Sequence, residues 1–510
     1  MAEFKPYAQE QGMLFPPHLG DLIPENHLVR VVNEIVEQLD LREITQKYPY
    51  RGAEGYHPRM LVKILFYGYA TGIFSSRKIA AYLGTDITFM WLAAMQRPDF
   101  RTISDFRKNH RPIIEDLFIQ IVKIGMHMGL VNLGHVSLDG SKINADASKH
   151  KAMSRVRLKQ EIPKLQKEIE ALLDKAEQAD QEEDKDNQDP HDGNILPDEL
   201  SCKQKRLAKL QQALEELNER QPEQDAKNQE EADKQQINFT DSESRIMVTR
   251  HHGVQQAYNP QIAVDKENGL IVGAVLTNSP VDKEQLIPTL KHLEEVTGKL
   301  PEQLTADAGY FSADNIRFCN DQNIDAYIAS TKEGKQDGNS FDKTNFNYDP
   351  EKDIYTCPEG KELQLKTKTT TKKGKTHWVY QGIDCPSCPF QSQCVKAKSG
   401  IRQVTRTEDD PIREAMRTKV QSAAGQEVYQ KRKGIVEPVW GQIKAIQGFR
   451  QFSFRGIDAN KAEMFLVAIG HNLRKIFFST LPKKKGKTPR DKSASNGGER
   501  VIQQINMALV

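Results

Sequence analysis

The stretch His135-Val136-Ser137-Leu138-Asp139-Gly140-Ser141-Lys142-Ile143-Asn144-Ala145 is where this chain changes character. Residues 22–127, before it, read as helix. Asn26 is placed to cap a helix whose apolar residues Leu28, Val31, Val32, Ile35, Val36 and Leu39 recur at three- and four-residue spacing. His57-Pro58 opens a second helix with Leu61, Ile64 and Leu65 on one face; proline is tolerated there because the first helical N–H has no partner in any case. Ser76–Leu83, a turn at Gly84-Thr85-Asp86 and Ile87–Ala94 read as helix, turn, helix, and Ser104 is placed to cap a fourth helix carrying Asp105, Arg107, Lys108 and Arg111. At 135 the pattern becomes a short β-prone run that ends on a carboxylate and a glycine.

Strand signals recur further on. Ala257–Val264 and Gly269–Leu276 flank a turn at 266–268, Leu304-Thr305-Ala306-Asp307 ends another strand, and helix 312–322 leads into a strand at Asp325–Ala329. A helix from about Asp410 carries Glu437, and an amphipathic helix spans Ala462–Phe477. Two stretches interrupt this α/β pattern. In 151–236, Ile162, Leu165, Ile169, Leu172 and Ala176, then Leu207, Leu210, Leu214 and Leu217, follow heptad spacing around the polar tip QADQEEDKDNQDPHDGN. That pattern fits an antiparallel coiled-coil hairpin, or a helix pair packed on the body. Residues 331–405 are rich in Lys, Thr and Gly and hold a cysteine cluster.

Composition narrows the class. The 510 residues are 37% hydrophobic, enough for a core. No apolar run of ~18 residues can span a membrane, and the start lacks a secretory signal pattern. Six cysteines, four of them at metal-like spacing, indicate a reducing cytoplasm rather than a disulfide scaffold. The net charge of +2 hides an asymmetry. Residues 151–236 hold 15 basic and 22 acidic residues, net −7, leaving 57 basic and 48 acidic, net +9, on the rest. A basic body fits a polyanionic partner.

Three acidic residues stand out by position. Asp139 and Asp307 end β-prone runs, each with a glycine close behind, and Glu437 lies on a helix beside Arg432 and Lys433. Strand-end carboxylates can converge at one sheet edge, and three of them suit hard divalent cations; as bare residues, most Asp-Gly pairs are ordinary turns. From Pro411 to Gly456 there are nine basic and three acidic residues, a cationic surround for Glu437. Cys357, Cys385, Cys388 and Cys394 form C-x27-C-x2-C-x5-C, a spacing that fits a closed structural Zn²⁺ site or reduced buried thiols. Asn259 and Gln261 share one face of a strand, where they support Asp139, touch DNA or mark a polar strand edge. Asp282 is placed to cap the next helix or to stand behind the other carboxylates.

The local words resemble those of DDE transposases of bacterial insertion sequences: Asp139-Gly140-Ser141-Lys142-Ile143-Asn144-Ala145, Tyr258-Asn259-Pro260-Gln261, Asp307-Ala308-Gly309-Tyr310, and Tyr429, Arg432, Glu437 and Lys444 around Val436-Glu437-Pro438-Val439-Trp440-Gly441. The resemblance runs from about 15 to 477. It departs from the family pattern in one respect, since four residues rather than three separate Arg432 from Glu437, and Lys433 sits at the three-residue spacing. The resemblance implies a ribonuclease-H-like mixed sheet flanked by helices, with an all-α amino-terminal domain, a coiled-coil insertion and a small Cys-rich insertion. The corresponding divisions are 1–130 for the amino-terminal helical, DNA-binding domain; 131–150, 237–330 and 406–478 for the catalytic fold; 151–236 for the hairpin; 331–405 for the zinc-binding insertion; and 479–510 for a basic, largely disordered tail.

By the same resemblance Asp139, Asp307 and Glu437 are the catalytic triad, holding two Mg²⁺ or Mn²⁺ ions. Arg77, Lys78, Lys142, Tyr429, Arg432, Lys433, Trp440 and Lys444 are the expected DNA contacts. Trp440 suits either stacking on an extruded base or a place in the core, and the 76–94 stretch suits either reading of DNA or core packing. Glu437 and Lys444, two helical turns apart, are expected on one side. The implied activity is metal-dependent cleavage at the element's terminal repeats and joining of the freed 3′-OH to double-stranded target DNA, by a homodimer in the cytoplasm with no membrane partner. The alternatives are a nuclease without strand transfer and an inactive DNA-binding derivative.

Overall fold

In a computed structural model the described residues are 18–48, 55–183, 198–220, 235–249, 253–330, 340–371 and 376–481, with 233 and 374. The main sheet is built from β1 (His135–Gly140), β2 (Ile143–Asn144), β5 (Arg245–Thr249), β6 (Gly253–Asp265), β7 (Ile271–Thr277), β8 (Gln303–Ala306) and β9 (Asp325–Ile328). A separate two-stranded ribbon joins β3 (Ala152–Ser154) to β4 (Gln236–Asn238). The five central strands run β7-β6-β1-β8-β9. β6 is antiparallel to both of its neighbours, whereas β1, β8 and β9 are mutually parallel. The near-continuous apolar runs Ile262-Ala263-Val264 and Leu270-Ile271-Val272 follow from burial on both faces of the sheet.

Helix Ala423–Gly441 packs on β1, β6, β8 and β9, and helix Leu286–Thr297 packs on β6 and β7. The carboxy-terminal helix Ile457–Thr480 lies against β7 and against the amino-terminal helices Leu28–Gln38, Pro58–Thr71 and Arg111–His127. Its Gly470 permits backbone contact: a Cβ there would lie 2.7 Å from the carbonyl carbon of Tyr69 and 2.8 Å from the amide of Ala70. Phe118 and Phe465 join this helix to helix Arg111–His127, their rings tilted at 38° with centroids 5.2 Å apart. The helices before residue 130 therefore share one continuous apolar core with the sheet.

The helical hairpin differs. Helices Arg155–Glu183 and Asp198–Arg220 run antiparallel, with Lys203 paired to Glu168 at 3.0 Å and the Arg155 guanidinium donating to the Leu217 carbonyl. Leu158, Leu165, Ile169, Leu210, Ala213 and Leu217 form a core of their own. The tip, 184–197, lies outside the described residues. A third core, of Phe346, Tyr355, Leu363, Tyr380 and Val404, sits in a five-stranded antiparallel meander. Its strands are β10 (Asn347–Asp349), β11 (Ile354–Thr356), β12 (Glu362–Thr370), β13 (Thr376–Gly382) and β14 (Gln403–Thr407).

Local sequence signals held unevenly. His57 caps Pro58–Thr71 through Nδ1. The first helix is capped by His27 rather than Asn26, its Nδ1 accepting the Val29 N–H. The helix containing Ser104 begins at Phe100 under an Asp99 cap, so Ser104 is an interior residue. The helix expected from Asp410 to Glu437 is two helices, broken at Ser422, whose hydroxyl caps the second by accepting the Gly425 N–H at 3.0 Å. Pro438 removes a helical donor, and the helix gives way to a π turn at Gln442–Ile446. No described helix is long and apolar enough to cross a membrane. Of the basic tail, 482–510 lies outside the described residues.

Candidate active site

The pairing of β1 with β8 sets the geometry. Leu138 is opposite Ala306 on parallel strands, so Asp139, still paired with Ile262 of β6, and Asp307, just past the end of β8, come side by side at the carboxyl ends of the two strands. Asp139 is mostly buried, with a side chain 18% exposed. Burial pushes its carboxyl up to about 7; the Arg432 guanidinium opposes this, while Asp307 and Asp282 add to it. Asp307 is also raised, first by burial and then by Asp282, against the Gly309 N–H that it accepts at 2.8 Å, Arg432 and Lys142.

Glu437 arrives on the helix packed across these strand ends. Its side chain is 54% exposed, and its Oε1 lies 3.9 Å from Arg432 Nη2. Arg432 Nη1 is 3.8 Å from Asp139 Oδ1. The guanidinium, 12% exposed, thus stands between the two carboxylates at ion-pair distance without hydrogen-bonding either. Its Nε and Nη1 have no hydrogen-bond partner although they are buried. The structure brings Asp139, Asp307 and Glu437 around one arginine.

The other sequence-selected residues divide. Lys444 reaches the same strand end through the π turn, donating to Ser141 Oγ and, at 3.4 Å, to the Lys142 carbonyl. Lys142 Nζ binds Asp282 at 2.9 Å and 3.2 Å. Tyr429 is half-buried with the Arg432 guanidinium 6.0 Å from its ring, and Lys433 is exposed on the same helix. Trp440 is in the core, 9% exposed beside Ile443 and Phe449, so stacking on a base is excluded in this conformation. Arg77 and Lys78 are exposed on helix Ser76–Tyr82, with Arg77 stacked 4.9 Å from Phe100. The helix, turn, helix order of 76–94 is present as Ser76–Tyr82 and Ile87–Leu92, with Asp86 capping the second helix.

Asp282 does not cap the helix that follows, whose first turn has Gln285 at the cap position with no side-chain bond. It faces the site instead and accepts from Asn259 and Gln261. A signal for this was present: two polar residues at buried, same-face positions of β6 must find partners.

The cysteines are free thiols. Cys357, Cys385, Cys388 and Cys394 line one small pocket with Arg402. Cys357 Sγ accepts the Lys361 N–H and Cys385 Sγ the Arg402 N–H, each at 3.4 Å. Burial raises the Cys394 thiol, Arg402 lowers it, and the three other cysteines raise it further. Gly382 leaves room for Cys385, whose sulfur lies 2.4 Å from where a Cβ would stand. Among the described residues, no group of three or more His, Cys, Asp or Glu side chains is arranged to hold a metal ion as it stands. The pocket gathers four sulfurs of the right chemistry for zinc, and the strand ends gather oxygens of the right chemistry for a hard cation, but neither set is drawn to ligand distances.

Comparison with known proteins agrees with the motifs. A family model described as a transposase DDE domain matches residues 356–477, and one described as a transposase domain (DUF772) matches residues 17–109. The first contains Glu437 and the four cysteines but neither aspartate. These two matches, which together cover less than half of the chain, are consistent with a DDE-type transposase. No curated protein matches the chain. A piggyBac transposase synaptic complex with hairpin DNA, solved by cryo-EM, is 11% identical over 95% of this chain and 79% of that one. Its TM-score is 0.30.

Proposed function

We propose that the chain cuts and joins DNA at the carboxyl edge of its main sheet, with Asp139, Asp307 and Glu437 as metal-binding residues on a ribonuclease-H-like core. The observation that carries this reading is the side-by-side placement of Asp139 and Asp307 at the carboxyl ends of paired parallel strands, with the Glu437 helix packed across them. The strand order β7-β6-β1-β8-β9, with only β6 reversed, supports the fold assignment.

The three carboxylates would hold a pair of hard divalent cations, Mg²⁺ or Mn²⁺, whose chemistry there is activation of the attacking oxygen and stabilisation of the leaving one. A desolvated Asp139 gains from such a partner, because burial disfavours its lone charge. Arg432 stands where it can pass from the carboxylates to a phosphate. Lys444 and the exposed Lys433 supply further cations for the DNA backbone, and Arg77 and Lys78 extend the contact to the helix-turn-helix. Two DNA ends call for two copies of the chain.

Labelled element ends incubated with Mg²⁺ or Mn²⁺ test the assignment. Asp139→Asn, Asp307→Asn and Glu437→Gln should each lower cleavage by roughly a hundredfold or more while retaining DNA binding. Unchanged cleavage in either aspartate variant overturns it. Pre-cut ends with free 3′-OH groups separate a transposase, which joins them to target DNA, from a plain nuclease. The cysteine pocket we assign to a structural Zn²⁺. Equal zinc content in the wild type and a Cys385→Ser/Cys388→Ser variant would rule that out.

A further inference from the structure

We infer that Asp282 is a positioning residue that sets both strand-end aspartates and neutralises Lys142 beside them, an inference resting on the carboxylate reading above. Asp282 follows β7, in the segment before helix Leu286–Thr297, yet its carboxylate is turned to the site. Its Oδ1 accepts three hydrogen bonds, from Lys142 Nζ at 2.9 Å, Asn259 Nδ2 at 2.6 Å and Gln261 Nε2 at 2.9 Å. Its Oδ2 accepts from Lys142 at 3.2 Å. A carboxylate so engaged has little left to offer a cation, so its role is to hold other groups.

What it holds is specific. Gln261 pairs in register with Gly140, the residue after Asp139, and its amide lies over that glycine, 2.3 Å from where a Cβ would stand. The far end of the same amide accepts the hydroxyl of the buried Tyr310, three residues beyond Asp307. Asp282 Oδ2 lies 3.3 Å from the Cβ position of Gly309, whose N–H holds Asp307. One carboxylate thereby buttresses the backbone beside both aspartates, and a Cβ at either glycine would press on the side chains gathered there. The ion pair with Lys142 is partly buried, at 20% and 21% side-chain exposure, so each charge is felt by the neighbouring aspartates if the other is removed.

The two partners therefore predict effects of opposite sign, which general structural damage would not produce. Mn²⁺ binding to the full chain, followed by the electron paramagnetic resonance of free Mn²⁺, reads this without any turnover. Asp282→Asn leaves Lys142 uncompensated beside the site and should weaken binding about fivefold or more. Lys142→Met leaves Asp282 uncompensated and should tighten it several-fold, and the double variant should return to within about twofold of wild type. Single variants with the wild-type constant, or two that weaken binding alike, overturn the inference. If Asp282→Asn does not fold, the tightening in Lys142→Met still decides it. Mn²⁺ binding that is absent from wild type, or unaffected by Asp139→Asn, sinks the carboxylate reading instead.

Discussion

The carboxylates at the edge of the main sheet and the cysteines of the small sheet are built on opposite plans. Asp139, Asp282, Asp307 and Glu437 come from four distant parts of the chain and meet because β1 pairs with β6 and β8 and one helix crosses the strand ends. Cys357, Cys385, Cys388 and Cys394 come from one short stretch, and a local meander with its own core gathers them. The first site inherits the stability of a core shared by the amino-terminal helices, the sheet and helix Ile457–Thr480. The second depends on five buried residues. A site made of long-range contacts should fail when the shared core fails, whereas a local site should fail alone.

The sharpest way to break the first plan is Gly470→Leu. Its side chain would collide with the Tyr69 and Ala70 backbone, which cannot move aside as a rotamer can. A loss on the order of 3 kcal/mol is expected in urea denaturation, with Mn²⁺ binding and cleavage lost together. Acid should act nearly as strongly on the same region. His135 at the start of β1 is pushed down to about 4 by burial, with Lys266 and Lys431 adding and Asp325 opposing. Folded His135 stays neutral down to about pH 4, while an unfolded histidine takes a proton near 6.5. Its contribution is therefore intact above pH ~6.5 and declines as the pH drops toward ~4, by on the order of 3 kcal/mol in all. His135→Gln should flatten that limb of the urea midpoint plotted against pH.

A smaller, confined effect is expected in the small sheet. Leu363→Ala should cost about 2 kcal/mol and speed amide exchange in β11–β13 while leaving β1 and β6 protected. Exchange rising equally in both sheets would show that they are one cooperative unit. The least effect belongs to the exposed Lys433. Lys433→Ala should weaken DNA binding by about 1 kcal/mol and reduce the slope of log affinity against log salt by about one, measured by fluorescence anisotropy.

What was readable in the chain follows the same division. The cysteine spacing announced itself because its ligands are near in sequence, and the helix face of Leu28 to Leu39 because periodicity is local. The strands of the meander went unread: β12 alternates poorly, with Leu363 buried and 364–370 exposed throughout. Two caps were misread because an imidazole at His27 and a carboxylate at Asp99 took the role assigned to Asn26 and Ser104. Trp440 could be placed in the core or at a base from its neighbours in sequence; only packing against Ile443 and Phe449 decided between them. Asp282 was legible as a carboxylate but not as a hub, since its three donors lie more than 20 residues away.

By itself the sequence determined the residue types at the strand ends, the helical amino-terminal pattern, the heptads of the hairpin and the grouping of thiols, because each is written in side-chain chemistry and short-range spacing. Only tertiary structure decided that Arg432 stands between Asp139 and Glu437, that Asp282 binds Lys142 and Gln261, and that the first helices share a core with the sheet. Those outcomes depend on strand order and helix crossing, where the free energy comes from burial between segments that carry no local mark of each other.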